Sequence, residues 1–280
     1  MSLRVRSPWV LAFVALPLTA LAGPSAEVLY ARSNGDLDQN EDPARYSALH
    51  VLDGKPETVW CSEGSGQDAI LEVQFLKRVS IDKLEVASGH QAGGKFKAYN
   101  RPRRLEVTEA DMVHPLELRD KPGRQTLEFD PPLSTDRVIF KFKSGYKGEN
   151  RHLCIADLVF IQGKKPLNGP KLNPIGKGAV DKRPIMDAWV CGPSYSPNRE
   201  LIFGLGETFR FTYLPAEDSD EAIQKTGAWR VEGGAVQLKE GKEWLPVEVT
   251  KDDAGRVEKV SLEAEPFSCS YSRRTPSFFH

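Results

Sequence analysis

The sequence has little excess charge of either sign, because 38 Lys and Arg residues balance 39 Asp and Glu residues over 280 positions, for a net charge of −1. Binding to nucleic-acid phosphates requires a basic excess, so no nucleic-acid partner is predicted. Long apolar runs are also scarce: none follows residue 22, and no stable membrane insertion is predicted. A hydrophobic content of 40 % is nevertheless typical of a folded protein rather than a disordered one.

Motifs of catalysis are missing as well. The five histidines are scattered singly, with no HExxH pair and no spacing suited to a metal triad. No GxSxG nucleophile elbow and no phosphate-binding GKS or GKT loop occurs, and Gly204-Leu205-Gly206 lacks the remainder of a dinucleotide fingerprint. We therefore predict no catalytic residue and no required cofactor. An enzyme with an unrecognised site is the less favoured alternative.

The start of the chain carries an export signal. Arg4 and Arg6 precede an apolar run, Trp9–Ala22, which ends in Ala-Leu-Ala before Gly23. This order of charge, apolar core and small residues is typical of a secretory signal peptide, here residues 1–22. The run is also shorter than the roughly 20 residues of a membrane-spanning helix. We expect cleavage after Ala22 and a secreted, periplasmic or cell-surface protein.

A linker divides the chain in two. Residues 163–184 read GKKPLNGPKLNPIGKGAVDKRP, in which Gly, Pro and Lys dominate and no apolar periodicity survives. The linker separates a first domain, 27–162, from a second domain, 185–280. Each is large enough to sustain a hydrophobic core of its own.

Cysteine is rare, but its count is even. Cys61 and Cys154 fall in the first domain and Cys191 and Cys269 in the second, and no CxxC pair supports a zinc site. Behind an export signal, an even number of cysteines favours disulfides. Of the three possible pairings, the one that keeps each bond within a single domain joins Cys61 to Cys154 and Cys191 to Cys269.

Short bursts of alternating apolar residues run through both domains. A period of two is typical of strands with one face on a core, and turn formers such as Gly93-Gly94 separate the bursts. The sequence predicts an all-β protein: a sandwich followed by a smaller antiparallel β-meander. The meander faintly resembles half of a lipocalin-like sheet that wraps an apolar pocket; the alternative is a compact sheet whose tryptophans fill the core. The clearest bursts are Leu71, Val73, Phe75; Val138, Phe140, Phe142; and Phe209, Phe211, Tyr213.

Three segments of the first domain together resemble a known superfamily. They are the block DGKPETVWC over Asp53–Cys61, the segment YNRPR over Tyr99–Arg103, and the closing strand CIADLVF over Cys154–Phe160. Across residues 44–161 they resemble the discoidin, or coagulation factor V/VIII type C, superfamily, and in particular the glycan-binding domain attached to secreted bacterial NAD glycohydrolases. The resemblance implies a galactose-binding-like jelly-roll sandwich, loops at one end that bind glycans or lipid head groups, and a structural bond from Cys61 to Cys154.

The resemblance also implies a metal site. Asp53 and Thr58 match positions that hold a structural calcium ion in many relatives, and Asp157 stands where relatives often carry a glutamate. Calcium accepts six to eight oxygen ligands, which carboxylates, hydroxyls and carbonyls supply. The alternative is that Asp53 caps a turn beside Gly54. We therefore expect either a structural calcium ion or a simple turn at this position.

The ligand is predicted to be a glycan or polysaccharide. Sugars need hydrogen-bonding groups together with an apolar face for ring stacking. Relatives commonly carry Asn-Gly-Tyr where this chain has Ser88-Gly89-His90, which changes the stacking group. A partner protein or a lipid head group bound by the same loops is the alternative. The predicted glycan-binding residues are His90, Tyr99, Asn100, Arg101, Arg103 and Tyr146.

Overall fold

The computed structural model describes residues 27–38, 41–42, 45–55, 57–109, 112–168, 182, 184–192, 198–215 and 222–274. The predicted signal peptide, residues 1–22, lies outside the described residues, as do residues 169–181 of the predicted linker. Within the described ranges almost all regular structure is strand, with three short 3-10 helices. The predicted all-β class is confirmed.

In the first sheet, the first part of one strand is buried on both faces, although the alternation of its sequence predicts one exposed face. Leu71, Val73 and Phe75 are fully buried, as their spacing predicts. Glu72 and Gln74, between them, are buried too, because the second domain covers the other face of this strand. The strands are β1 (Val28–Ser33), β2 (Trp60–Cys61), β3 (Ile70–Ser88), β4 (Tyr99–Glu109), β5 (Met112–Glu117), β6 (Arg124–Tyr146), β7 (Asn150–Gln162) and β8 (Lys165–Pro166), with 3-10 helices at Ala48–Leu52 and Lys95–Lys97.

Two long strands, β3 and β6, belong to both layers of the sandwich. The first half of β3 pairs with β1 and with the second half of β6, whereas the second half of β3 lies between the first half of β6 and β7. The strand order is β1-β3-β6-β4-β7-β2. The predicted galactose-binding-like sandwich is confirmed.

The second sheet closes on itself. Each strand pairs with the next along the chain, as the predicted meander requires, and the last strand pairs with the first. The strands are β9 (Ala188–Cys191), β10 (Arg199–Phe203), β11 (Thr208–Tyr213), β12 (Ile223–Glu232), β13 (Ala235–Glu240), β14 (Glu243–Lys251), β15 (Val257–Leu262) and β16 (Cys269–Arg273), with a 3-10 helix at Leu205–Glu207.

Aromatic side chains fill this barrel. Trp189, Trp229 and Tyr271 are almost completely buried. Phe267 packs edge-on against Phe211, with ring centroids 4.8 Å apart. An eight-stranded barrel has an interior wide enough either for its own side chains or for one small ligand. These buried rings occupy part of that interior, which is what the compact alternative predicts.

Both predicted disulfides are present. One bond joins Cys61 on β2 to Cys154 on β7, and the other joins Cys191 on β9 to Cys269 on β16. The first bond spans 93 residues of sequence. Closing a loop of that length stabilises the fold by roughly 4 kcal/mol through the entropy that the unfolded chain loses.

The first domain extends beyond the predicted start of the linker. β8 pairs with the end of β7. Leu167 is buried, and its carbonyl accepts hydrogen bonds from the Glu27 and Val28 amides at 3.0 and 3.3 Å. The predicted boundary at 163 is thus early, because the Gly, Pro and Lys around Leu167 conceal a core residue.

A buried arginine joins the two domains. Arg210 on β11 is 4 % exposed and donates to the Phe75 carbonyl and to the Gln74 side chain, both at 2.6 Å. Nearby, the Tyr30 hydroxyl donates to Asp187 at 2.6 Å. Because the hydrophobic core is also continuous across this contact, the sandwich and the barrel pack as one body.

We expect Arg210→Met to lower the free energy of unfolding by about 3–5 kcal/mol, since it leaves buried acceptors in the sandwich without donors. Arg256, which is 73 % exposed in its ion pair with Asp252, is the matched control. Arg256→Met should change stability by less than about 1 kcal/mol. Urea denaturation of both variants measures this, and equal losses would contradict a structural role for the interdomain contact.

Candidate functional site

Three loops meet at one end of the sandwich around a single side chain. We call residues 89–98, 118–123 and 147–149 the rim loops. Arg101, at the start of β4, is 2 % exposed. Its guanidinium donates to the Asp120 carboxylate at 2.7 Å and to the Lys147 carbonyl at 3.0 Å, and it lies over the Phe96 ring at 5.2 Å. One buried arginine therefore contacts all three rim loops.

The first rim loop approaches Arg101 closely. Gly89 has φ = 70°, and a Cβ at this position would lie 2.7 Å from Cγ of Arg101. Only glycine combines that backbone conformation with that distance. The rim loops also bond to one another, since the Gly123 amide donates to the Gln91 side chain at 2.8 Å and the Glu149 amide donates to the Lys97 carbonyl at 3.1 Å.

An aromatic cluster lies beside this hub. The rings of His90 and Tyr99 stack with centroids 6.2 Å apart and an interplanar angle of 18°. Tyr46 meets Tyr99 edge-on, and their hydroxyl groups are 3.0 Å apart. Burial, reinforced by the hydrogen bond to Tyr99, raises the pKa of Tyr46 to about 12. The cluster therefore presents a partly exposed ring, Tyr99, held between two more deeply buried rings.

The first disulfide packs against the buried side of the aromatic cluster. Cys61 and Cys154 pack with Tyr46 and Val59 in a small buried group, against which Tyr99 rests. The bond thus fixes the surface on which the aromatic rings stand. Its role is structural, as the resemblance implied.

Only part of the predicted glycan-binding set faces solvent in one place. Asn100 holds the backbone: its side chain accepts from the Gly148 amide at 2.8 Å and donates to the Arg151 carbonyl at 2.6 Å. The burial of Arg101 likewise makes it a residue that positions loops rather than one that touches a ligand. His90 and Tyr99 are the predicted residues that the fold brings together as a stack.

Arg103, which is exposed, and Tyr146, which is half-buried, form a separate group. The Arg103 guanidinium pairs with Glu117 at 3.1 Å and lies 5.8 Å from the centroid of the Tyr146 ring. The Tyr146 hydroxyl donates to the Leu118 carbonyl at 3.1 Å. This group borders the second rim loop, so it stands next to the aromatic cluster rather than within it.

Sequence reasoning missed Tyr46 and Asp120. Tyr46 lies 53 residues before Tyr99, and Asp120 lies 19 residues after Arg101. Neither residue belongs to a motif that marks it, so only the pairing of the strands brings them to the rim.

The residues predicted to hold calcium have other partners. The Thr58 hydroxyl donates to both oxygens of the Asp53 carboxylate, at 2.9 and 2.8 Å, and the Lys55 amide donates to the same carboxylate at 2.9 Å. Asp53 therefore caps the turn beside Gly54. Asp157 pairs with the guanidinium of Arg124. Among the described residues, no group of three or more His, Cys, Asp or Glu side chains is placed to bind a metal ion.

Arg124 supplies the positive charge at this position. Burial raises the pKa of Asp157, and the Arg124 guanidinium opposes that rise. Arg124 contacts only one oxygen of the Asp157 carboxylate; the other, Oδ1, is buried and has no hydrogen-bond partner among the described residues. The structural calcium ion that the resemblance implies at Asp53, Thr58 and Asp157 therefore stays a prediction.

A cleft of about 310 Å³ lies elsewhere, between the sandwich and the barrel. Four of its charged groups pair with one another: Arg210 with Asp136 at 3.2 Å, and Arg274 with Glu200 at 2.7 Å. These groups belong to the interdomain contact, so we place the candidate site at the rim loops.

Comparison with known proteins agrees with this fold. Residues 25–161 match the family model described as the NAD glycohydrolase translocation F5/8 type C domain. The predicted resemblance is confirmed. Among curated proteins, none matches the chain.

Solved structures similar to the sandwich include carbohydrate-binding modules. The family 32 module of NanJ from C. perfringens, in complex with galactose, is 15 % identical with a TM-score of 0.37, over 48 % of this chain and 97 % of that chain. The CBM32-1 and CBM32-2 domains of ZmpB from Clostridium perfringens, in complex with GalNAc, are 17 % identical with a TM-score of 0.40, over 48 % and 33 %. An F5/8 type C domain from Bacteroides fragilis is 15 % identical with a TM-score of 0.38, over 49 % and 92 %.

The helices of the described residues are single 3-10 turns, and none of them has the length or apolarity to cross a membrane.

We expect His90 to titrate below its ordinary pKa of about 6.5, because burial and the ammonium group of Lys95 both disfavour the imidazolium. A pH titration of the His90 ring signals by NMR measures this. Lys95→Gln should move the midpoint upward, whereas Lys259→Gln, on the barrel, should leave it unchanged. A wild-type midpoint above 6.5 would contradict the described environment of His90.

A calcium ion held by Asp53, Thr58 and Asp157 would raise the melting temperature in calcium chloride relative to EDTA, whereas no difference is expected if the ion pair with Arg124 alone neutralises Asp157. Arg124→Gln should lower the free energy of unfolding by roughly 1–3 kcal/mol at neutral pH. This loss should shrink as the pH falls through the raised pKa of Asp157, because a protonated carboxyl group no longer needs the positive charge of Arg124. Thermal melts of the wild type and of Arg124→Gln measure both effects; a clear calcium-dependent rise in the wild type would support the predicted metal site, and no rise would contradict it.

Proposed function

We propose that this protein is an exported carbohydrate-binding protein whose sandwich domain recognises a glycan through the rim loops, without performing chemistry. The observation that carries the proposal is the stack of His90 and Tyr99, fixed between Tyr46 and loops that a buried arginine holds in place. Sugar rings bind to such partly exposed aromatic faces, and neighbouring polar groups hydrogen-bond to their hydroxyls.

The match to an F5/8 type C family model supports the same placement of the site at a loop end of the sandwich. The two disulfides support export, because such bonds persist in oxidising compartments. Each sugar hydrogen bond replaces one to water and gains only about 1 kcal/mol, so the affinity for a single sugar should be modest.

A second candidate function is contact with a partner protein during translocation. The description of the matching family model names translocation, and the same rim loops would form the contact. Both functions use the rim, but only the first requires that free glycans bind to it.

We expect the mature full-length protein to bind a subset of glycans on an array, and Tyr99→Ala to weaken that binding by about tenfold, since removing an aromatic contact costs on the order of 1–1.5 kcal/mol. The titration of a selected glycan by calorimetry measures the change. Tyr99→Phe should retain most of the affinity because it keeps the ring.

Tyr213→Ala is the matched control, since Tyr213 is a partly buried ring beneath an arginine on the barrel. It should leave glycan affinity unchanged. Folded wild-type protein that binds no glycan, or that binds equally well with and without the Tyr99 ring, would refute the proposal. Capture of a partner protein that depends on Tyr99, without glycan binding, would favour the second candidate.

A further inference from the structure

The rim loops are positively charged in a chain that is slightly acidic overall. They contain five Lys or Arg residues and two acidic residues, whereas the whole chain has a net charge of −1. One of the two acids, Asp120, is already neutralised by buried Arg101. The local excess is therefore positive. The cations are Lys95, Lys97, Arg119, Lys121 and Lys147.

The four lysines of the rim loops are exposed and unpaired. Lys95, Lys97, Lys121 and Lys147 are all exposed, and within the part of the chain that the structure describes none of them forms an ion pair. Elsewhere on the sandwich, exposed lysines do find acids: Lys83 pairs with Glu128 at 2.7 Å and Lys143 pairs with Glu106 at 3.0 Å. Charge on the rim is thus left available to a ligand.

These charges belong to one surface because their loops are bonded together. Arg101 contacts all three loops, Gly123 bonds to Gln91, and Glu149 bonds to Lys97. Lys95 is also close enough to the aromatic cluster to lower the pKa of His90. The exposed cations therefore lie on the same bonded loops as the stack of His90 and Tyr99, and Lys95 lies near His90.

We propose that the rim loops select acidic polysaccharides, whose carboxylate or sulfate groups lie against the lysines while a sugar ring lies against Tyr99. This inference rests on the proposed function and adds the class of glycan. Unpaired surface lysines attract an anionic polymer over distances of about a Debye length and raise its rate of association. A single exposed ionic contact is weak, but three together are expected to change affinity by roughly tenfold.

The test uses two polymers that share one sugar backbone: polygalacturonate, which carries carboxylates, and its fully methyl-esterified form, which is neutral. A second pair, chondroitin sulfate and its desulfated, carboxyl-reduced form, covers a different sugar backbone and a sulfated anion. The mature full-length protein should bind the acidic member of at least one pair about tenfold more tightly than the neutral member at low salt. Raising the salt concentration should remove most of that preference.

The variant Lys95→Gln/Lys97→Gln/Lys147→Gln should lose the preference and keep its binding to the neutral form. The control Lys242→Gln/Lys251→Gln/Lys259→Gln removes the same charge from exposed positions on the barrel and should behave as the wild type. Tyr99→Ala should weaken binding to both members of the pair, because one site serves both.

The outcomes separate this inference from the function on which it rests. Equal binding of acidic and neutral polymers, or equal losses in the rim and barrel variants, would overturn the acidic preference and leave glycan recognition standing. Acidic binding that survives Tyr99→Ala would overturn the shared site. The absence of binding to any glycan would instead overturn the proposed function itself.

Discussion

A buried guanidinium has five N–H donors that need acceptors, and this requirement organises the candidate site. Arg101 meets it with a carboxylate from one loop and carbonyls from two other segments, at distances of 2.7 to 3.0 Å. Lysine has no planar fork and would not satisfy the same partners. Loops that by themselves are rich in glycine are thereby held in one arrangement before any ligand arrives. Less conformational entropy is then lost on binding, which matters most for a ligand whose individual contacts are weak.

A second buried arginine holds segments together at the domain interface. The guanidinium of Arg210, on the barrel, donates hydrogen bonds to the Gln74 side chain and the Phe75 carbonyl of the sandwich. These acceptors lie near the start of β3, whereas the first rim loop begins after Ser88, at the other end of that strand. The barrel therefore covers a face of the sandwich without covering the rim. An aromatic-filled barrel attached in this way stabilises the sandwich and leaves its loop end accessible.

The sequence predicted those features that depend on local periodicity. Alternation placed Leu71, Val73 and Phe75 in the core, and the division into two domains led to the observed disulfide pairing. It did not predict that Glu72 and Gln74 would be buried, because the docking of a second domain is a tertiary property. Arg101 was grouped with ligand contacts for the same reason: nothing local shows that Asp120 and Lys147 will enclose it. The ion pair of Arg124 with Asp157 was not predicted either, because Arg124 lies 33 residues before Asp157 in sequence and beside it in the fold.

The site has little exposed aromatic surface and several exposed lysines, and this composition favours a polymer over a single sugar. His90 is 9 % exposed and Tyr46 is 6 % exposed, so within the aromatic cluster little ring surface other than that of Tyr99 remains for stacking. Stacking on one ring contributes on the order of 1 kcal/mol, and hydrogen bonds to sugar hydroxyls contribute similar amounts. A single sugar would therefore bind weakly. A polymer offers many copies of the same unit, so that a dissociated unit is replaced by its neighbour before the chain diffuses away. Exposed lysines fit that mode of binding, because their attraction acts on the polymer as a whole and does not require one sugar to be held in a fixed orientation.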